Sequence, residues 1–195
     1  KLYKLKDRNE WFMNAHTVNA YYSPSNNEIV FPAGILQEPF FSQESDAATN
    51  FGGIGCVIGH EITHGFDDQG RKFDQYGNKK NWWSEKDKKS YETITNKIKS
   101  QYSNYTLNGK KVNGELTLGE NIADLGGVSI SYHAFSKYLN DNKEENITIN
   151  GFTPYQRFFI NYATIWRSSS RNKEIEKRLK IDPHSPPNFR VNGVL

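Results

Sequence analysis

The stretch Gly59-His60-Glu61-Ile62-Thr63-His64 decides the fold and the chemistry of this 195-residue chain. It lies within a segment, residues 47 to 66, that we predict to be helical. Because residues four apart lie on one helix face, His60 and His64 can direct two imidazole nitrogens at a single point. Such a pair suits a tetrahedral zinc ion, and Glu61 beside it can take a proton from a water molecule at the open coordination position.

This motif needs a third ligand, since a catalytic zinc site uses three protein ligands and a water molecule. No third histidine lies six residues after His64, and Glu120 in Gly119-Glu120-Asn121-Ile122-Ala123-Asp124 is the best candidate. Glu120 and Asp124 are again four apart and therefore share a helix face. One carboxylate can bind zinc while the other accepts the free ring N–H of a ligand histidine.

Two of the candidate acidic residues have a second interpretation. Thr117-Leu118-Gly119-Glu120 fits a capping box, in which Glu120 merely closes the start of a helix. The upstream histidines favour the metal ligand instead. Asp67, three residues after His64, either supports a ligand histidine or ends its helix. The acidic turn that begins at Asp67 lacks EF-hand spacing, which excludes a calcium loop of that type.

Composition and charge place neither nucleic acid nor a membrane among the expected partners. The chain carries 25 basic and 22 acidic residues without a dense Lys/Arg block, and its apolar runs are too short to span a bilayer. Twelve Phe, eleven Tyr and four Trp supply the core of one domain although the hydrophobic fraction is only 35%. The single cysteine, Cys56, excludes an internal disulfide.

Turn and helix signals predict an α+β domain that is mainly helical with a small sheet. Two strands are expected at about 18–22 and 27–31, paired through the turn Ser23-Pro24-Ser25-Asn26. The closely spaced glycines from Gly52 to Gly59 leave one side of the first helix bare, so another backbone can approach it. We expect loops at Asn108-Gly109 and after Pro183, and further helices at about 85–102, 118–138, 154–167 and 172–179.

Several segments together resemble a known protein family. They are Val18-Asn19-Ala20-Tyr21-Tyr22, Ile29 to Gln37, Gly59 to Asp67, Leu118 to Asp124 and His184-Ser185-Pro186. In this order and spacing they resemble the neprilysin and endothelin-converting-enzyme family of zinc endopeptidases, over essentially the whole chain. The resemblance implies a thermolysin-like zinc peptidase catalytic region with a small sheet and two ligand-bearing helices.

The resemblance also implies a role for each residue of the metal site. His60, His64 and Glu120 correspond to the ligands of one Zn²⁺ per chain. Glu61 corresponds to the catalytic base, and His184 to the histidine that stabilises the oxyanion of the tetrahedral intermediate.

Supporting and substrate-binding residues follow from the same resemblance. Asp124 and Asp67 correspond to carboxylates that hold ligand histidines. We count Asp124 among the catalytic residues as well. Asn19 and Ala20 match an edge-strand pair that hydrogen-bonds the substrate backbone by strand addition. Arg190 matches an arginine that holds a substrate carbonyl. The pocket for the residue after the cleaved bond is expected to be lined by Ile35, Phe40, Cys56, Val57, Ile165 and Trp166.

Together these residues lead to the hypothesis of a zinc-dependent endopeptidase that cleaves small peptides on the amino side of large apolar residues. Two alternatives remain, a catalytically silent zinc-binding interaction module and an aminopeptidase with the same motif. We interpret residues 1–195 as the catalytic domain of a longer chain, because Lys1-Leu2-Tyr3-Lys4 has no initiator Met. The family adds an N-terminal region that roofs the active site and a further C-terminal segment.

Two positions depart from the family's animal members. Lys97 and Arg167 stand where those members have disulfide cysteines, which favours a microbial or otherwise divergent relative. Family members occur as membrane-anchored, secreted and intracellular peptidases, so the resemblance leaves the compartment open.

Overall fold

The computed structural model describes residue 7 and residues 9–195, and the expected cut at Lys1 to Lys4 lies outside the described residues. The architecture is mainly helical with small antiparallel sheets. No helix in the described ranges is both long enough and apolar enough to cross a membrane. In chain order the strands and helices are β1 (Tyr21–Ser23), β2 (Glu28–Val30), α1 (Ala47–Asn50), α2 (Cys56–His64), α3 (Glu85–Ser103), β3 (Thr106–Leu107), β4 (Lys110–Lys111), α4 (Leu118–Asp141), α5 (Pro154–Ile165), α6 (Asn172–Ile181) and α7 (Pro187–Asn192).

The predicted sheet is the antiparallel hairpin of β1 and β2. Tyr21 pairs with Val30 and Ser23 with Glu28, so Ser23 belongs to the strand and not to the turn. Asn27 closes the turn in the left-handed region, with φ 49°, which asparagine tolerates better than most residues. Both strands are therefore shorter than predicted, but the hairpin itself is confirmed.

The segment predicted as one helix from 47 to 66 is helical as far as His64, but it is not uniform. Residues Phe51–Gly55 form a π-helical segment between α1 and α2. The Phe51 carbonyl oxygen accepts a hydrogen bond from the Cys56 backbone N–H and another from Ser131 Oγ of α4 at 2.6 Å. This contact ties α4 to the residues just ahead of the histidine motif.

The backbones of α2 and α4 touch where both helices carry glycine. A Cβ on Gly59 would lie 2.8 Å from the carbonyl oxygen of Gly127. A Cβ on Gly127 would lie 2.5 Å from the carbonyl oxygen of Cys56. No side chain fits at these separations, which confirms the close backbone approach expected from the glycine spacing. The two helices that carry the candidate ligands are therefore packed directly side by side.

An aromatic core joins the π-helical segment, α4 and α5. Phe135 and Phe158 are fully buried and stack with ring centroids 5.7 Å apart, and Phe51 lies 5.5 Å from Phe135. Each buried ring contributes about 2–3 kcal/mol relative to an exposed one. Tyr162 of α5 donates a hydrogen bond to the Arg190 carbonyl at 2.9 Å, which attaches α7 to this core.

Of the two expected loops, the one at Asn108-Gly109 is a tight turn, and the one after Pro183 is wrong in part. Asn108 and Gly109 form the two-residue turn of the β3–β4 hairpin, with φ 52° and 73°, as an Asn-Gly pair favours. The chain after Pro183 is also not a loop throughout, because Pro187 to Asn192 form α7. Pro187 occupies the first helical turn, where its fixed φ suits the helix and its missing N–H leaves no helical hydrogen bond unmade.

Candidate metal centre and catalytic cleft

Helices α2 and α4 bring together three potential metal-binding atoms. His60 Nε2 and His64 Nε2 are 2.9 Å apart, and Glu120 Oε2 lies 3.2 Å from the first and 3.6 Å from the second. Among the described residues, this is the one group of three or more His, Cys, Asp or Glu placed to hold a metal ion. The side chain of Thr117 makes no cap hydrogen bond at the start of α4, so the capping box is not formed.

The spacing of these atoms fits a zinc ion. A tetrahedral site with bonds of about 2.0–2.1 Å has ligand–ligand edges of about 3.3–3.4 Å, and the three observed distances bracket that value. Glu120 Oε2 is buried and makes no hydrogen bond, although His184 Nε2 lies only 3.2 Å away. A buried carboxylate oxygen without a partner is costly unless a cation satisfies it. The site is therefore built for a positive ion.

Asp124 of α4 fixes the ring of His60 from the side opposite the ligand atoms. His60 Nδ1 donates to Asp124 Oδ1 at 2.9 Å, which leaves Nε2 facing Glu120. The same carboxylate accepts hydrogen bonds from Arg190 Nε and Nη2, both at 2.7 Å. Burial by itself raises the pKa of Asp124, but Arg190 and His60 hold it below its usual range. Asp124 therefore remains ionised and keeps His60 in the tautomer that a metal ligand needs.

Asp67 holds His64 in the corresponding way. His64 Nδ1 donates to Asp67 Oδ2 at 2.7 Å, while Oδ1 accepts from the backbone N–H groups of Gln69 and Gly70 at 2.8 and 2.6 Å. Burial lowers the pKa of the metal-free His64, but Asp67 and Glu120 outweigh it and raise the pKa to about 10. Asp67 thus combines the two roles considered for it, because it supports the ring of His64 and also organises the turn after α2.

Glu61 lies buried in the same cleft as the ligand atoms. Its pKa is raised, first by burial and also by the nearby charge of Glu120, while His60 and His64 act in the opposite direction. A carboxyl group with a raised pKa both accepts and returns a proton more readily near neutral pH. Its position in the cleft and its raised pKa therefore suit a general base.

His184 approaches the cluster from the segment between α6 and α7. Its Nε2 lies 3.2 Å from Glu120 Oε2, and its Nδ1 donates to Asp182 Oδ1 at 2.8 Å. Asp182 Oδ1 also accepts from the His184 backbone N–H at 2.9 Å. Although burial raises the pKa of Asp182, these hydrogen bonds lower it overall. Asp182 was not predicted from the sequence, and its position two residues before His184, typical of an Asx turn, is the signal that identifies it.

A cavity of about 450 Å³ surrounds these groups and contains most of the predicted substrate-binding residues. Asn19 and Ala20 lie in it just before β1. Within the described residues β1 pairs only with β2, so its other edge is open to an extended peptide. The remaining predicted residues on the cavity wall are Ile35, Phe40, Cys56, Val57, Trp166 and Arg190.

Two of the residues predicted to bind substrate, Ile165 and Arg190, differ in detail from the expectation. Ile165 does not line the cleft but a neighbouring cavity on the far side of Trp166. Arg190 is buried, and its guanidinium stacks 3.6 Å from the centroid of the Trp166 ring while it binds Asp124. Burial raises the pKa of Cys56 to about 12, so its thiol is a small neutral part of the wall.

Two packed helices that carry a His-His-carboxylate cluster beside a buried glutamate form the architecture of zinc peptidase active sites. Comparison of this chain with known proteins agrees with this class. The family model described as "Peptidase family M13" matches residues 19–195, and the chain therefore belongs to peptidase family M13. Mouse endothelin-converting enzyme 1 is 48% identical over 196 residues, which cover 100% of this chain and 26% of that protein.

Solved structures of similar chains share the fold as well. The structure of Mycobacterium tuberculosis zinc metalloprotease Zmp1 in complex with an inhibitor matches with a TM-score of 0.94 and 51% identity. That match covers 98% of this chain and 30% of Zmp1. PepO from Lactobacillus rhamnosis HN001 matches with a TM-score of 0.85 and 39% identity, over 97% of this chain and 28% of PepO. The chain thus spans about a quarter to a third of these relatives.

Proposed function

We propose that this chain is the metal-binding and catalytic part of a zinc-dependent endopeptidase, with one zinc ion per chain. The convergence of His60 Nε2, His64 Nε2 and Glu120 Oε2, with Glu61 buried beside them, carries the proposal. Membership in peptidase family M13 supports it. Zinc held by these residues would supply Lewis-acid chemistry, namely polarisation of the scissile carbonyl and activation of a water molecule.

Side chains of this protein carry out the proton transfers and stabilise the transition state. Glu61 takes the proton from the attacking water and returns it to the leaving amine. His184 donates a hydrogen bond to the developing oxyanion, a contribution typically worth about 3–4 kcal/mol for one donor. Asp182 holds the His184 ring by its Nδ1, so that Nε2 points into the cleft. Asp124 and Asp67 keep the ligand histidines oriented throughout.

Substrate binding is proposed to follow the open edge of β1. Asn19 and Ala20 hydrogen-bond the peptide backbone, and Arg190 holds a substrate carbonyl with donors that Asp124 does not use. The side chain after the cleaved bond enters the apolar part of the cleft formed by Ile35, Phe40, Cys56, Val57 and Trp166. This wall favours a large apolar side chain, so cleavage is expected on its amino side.

The replacement Glu61→Gln tests the proposed base. The variant should bind zinc with unchanged stoichiometry and lose about 10²- to 10⁴-fold in kcat, because only the proton acceptor is removed. Glu144→Gln is a matched control, since Glu144 is exposed and lies on a short turn after α4. Zinc content by mass spectrometry and turnover of a quenched-fluorescence peptide should be measured on the full-length protein. Undiminished turnover by Glu61→Gln would refute the assignment.

Product mapping separates the endopeptidase from the two alternatives. A peptide with blocked termini and a single internal Phe should be cut on the amino side of that Phe, and a chelator should abolish the cut. An aminopeptidase would leave the blocked peptide intact but shorten the unblocked one from its amino end. A silent zinc-binding module would bind zinc and cut neither peptide.

A further inference from the structure

A series of buried hydrogen bonds joins helix α4 to the segment that carries His184. Ser185 Oγ donates to Asn121 Oδ1 at 2.7 Å. Asn121 Nδ2 in turn donates to Thr117 Oγ1 at 3.0 Å, and Thr117 Oγ1 donates to the Asn113 carbonyl at 3.1 Å. Asn121, Ser185 and Thr117 are only 1%, 2% and 3% exposed, so water does not compete for these hydrogen bonds.

The direction of each hydrogen bond in this series is fixed by its neighbours. The hydroxyl hydrogen of Thr117 is used on the Asn113 carbonyl, so its oxygen accepts from the Asn121 amide N–H. The amide oxygen of Asn121 therefore faces Ser185, where only a donor satisfies it. Without the Ser185 hydroxyl this buried oxygen would be left unpaired, which costs free energy. The contact is thus specified by α4 itself.

Both partners of this contact are adjacent in sequence to groups of the proposed active site. Asn121 follows the proposed zinc ligand Glu120, and Ser185 follows His184. His184 Nε2 also lies 3.2 Å from Glu120 Oε2. Among the described residues, these two contacts are the polar side-chain contacts that join residues 183–186 to α4. The hydrogen bond of Ser185 therefore lies where it can fix the distance between His184 and the metal ligands.

Other contacts hold the His184 segment less directly. Asp182 orients the His184 ring through Nδ1, but it belongs to the same segment and moves with it. Arg190 binds Asp124 of α4, although it lies six residues beyond His184 on α7. The Ser185 hydrogen bond acts on the residue next to His184 and fixes it to the first turns of α4.

We propose that Asn121 and Ser185 are positioning residues that set the distance between His184 and the metal ligand on α4. The proposal rests on the endopeptidase function proposed above, in which His184 donates a hydrogen bond to the developing oxyanion. A displacement of about 1 Å can lower the rate by as much as about 10²-fold, although every reacting group is still present. The Asn121–Ser185 contact therefore acts on the transition state and leaves zinc binding unchanged.

Ser185→Ala, assayed in the full-length zinc-loaded protein, removes the hydroxyl and keeps the backbone. We expect kcat to fall about 5- to 50-fold with KM and zinc content unchanged, since a misplaced donor still contributes more than an absent one. Asn121→Ala should have the same effect, and the double variant should lose no more than either single variant, because all three remove one interaction. Ser185→Cys, a weaker donor of similar size, should fall between Ser185→Ala and the native protein.

Thr95→Val is the matched control for these variants. It removes another buried hydroxyl, but that of Thr95 lies on α3 and its hydrogen bond to the Glu92 carbonyl stays within the helix. Thr95 also does not line the catalytic cleft. Its kcat should therefore remain native.

Removal of His184 separates a positioning role from a structural one. In a His184→Ala background the imidazole is absent, so adding Ser185→Ala should lower the residual kcat by less than about twofold. A structural role of Ser185 would instead lower the residual kcat as strongly as it lowers that of the native protein.

Inhibitor binding provides a readout that does not depend on turnover. A phosphonamidate peptide presents a tetrahedral oxyanion to His184, and its affinity for Ser185→Ala should fall in proportion to kcat. A thiol inhibitor of the same peptide sequence has no such oxygen, so its affinity should remain native.

The outcomes separate failure of the positioning role from failure of the proposed function. If the native protein cuts the peptide and Ser185→Ala keeps its kcat, the positioning role is refuted while the endopeptidase stands. An equal loss of kcat in the His184→Ala background, or an equal loss of affinity for both inhibitors, would also overturn the role, because Ser185 would then not act through His184. If zinc-loaded native protein cuts no peptide, the endopeptidase proposal itself fails, and the positioning role fails with it.

Discussion

Replacing Gly127 with alanine tests whether the direct contact between α2 and α4 sets the geometry of the metal site. The new Cβ would lie 2.5 Å from the Cys56 carbonyl oxygen, 2.8 Å from His60 N and 3.1 Å from His60 Cα. All three are backbone atoms of α2, so no side chain can rotate away to make room. Ordinary contact begins near 3.4 Å, and the 0.9 Å difference from 2.5 Å estimates how far α2 must retreat.

Moving α2 away from α4 would separate the histidines from Glu120. The distances of 3.2 and 3.6 Å from Glu120 to the two histidines span the gap between α4 and α2, and they would lengthen by up to the same amount. We expect zinc affinity to fall about 10- to 100-fold, similar to the loss of a residue that orients a ligand. Overpacking should also cost about 1–3 kcal/mol of unfolding free energy.

Competition with a fluorescent zinc chelator measures the affinity, and urea unfolding of the metal-free protein measures the stability. Gly65→Ala is the control, because its Cβ would meet its nearest neighbours at 3.3 and 3.5 Å and its φ of −62° suits alanine. That variant should keep native zinc affinity. If Gly127→Ala bound zinc as tightly as the native protein, backbone contact between the helices would not determine the ligand geometry.

Three further predictions follow from the same contacts. Asp124→Asn should lower zinc affinity about 10- to 100-fold in chelator competition, because His60 loses the carboxylate that orients it; native affinity would contradict this role. Asp182→Asn should lower kcat while zinc affinity stays native, because only the orientation of His184 is relaxed; an unchanged kcat would show that Asp182 is dispensable. In the metal-free protein, the pKa of His64 is about 10 when folded and near 6.5 when unfolded. The His64 contribution to stability should therefore be complete below pH 6.5 and lost as the pH rises toward 10, which urea unfolding of native protein and a His64→Ala variant across this range would detect. Identical pH dependence for the two proteins would contradict it.

Local sequence patterns are sufficient to place the proposed metal ligands on their helices. The four-residue spacing of His60 and His64, and again of Glu120 and Asp124, puts each pair on one helix face. The glycines of the histidine-bearing helical segment predict a close backbone neighbour, and for Gly59 that neighbour is Gly127 of α4. Periodicity and glycine spacing are local properties, which is why they can be interpreted without tertiary information.

Other features depend on tertiary contacts that the sequence does not encode locally. The π-helical segment before α2 is stabilised by Ser131, which lies 80 residues away from Phe51. Ile165 follows the helical pattern of its neighbours, yet it lines the cavity next to the cleft and not the cleft itself. Such features depend on how the whole chain packs.

Three features that were not predicted do have a local signal in the sequence. Asn108-Gly109 is the pair most typical of a two-residue hairpin, and Pro187 stands where a helix commonly begins. Asp182 precedes His184 by the two residues that an Asx turn requires. In each case the residue type carries local geometric information, which favours a hairpin, a helix start or a supported histidine over an irregular loop.

The most direct test of the metal site is anomalous X-ray diffraction at the zinc absorption edge from crystals of the zinc-loaded, full-length protein. We expect a single strong peak within about 2.0–2.2 Å of His60 Nε2, His64 Nε2 and a Glu120 oxygen. A zinc peak elsewhere, or a Glu120 carboxylate turned away from both imidazoles, would contradict the proposed centre.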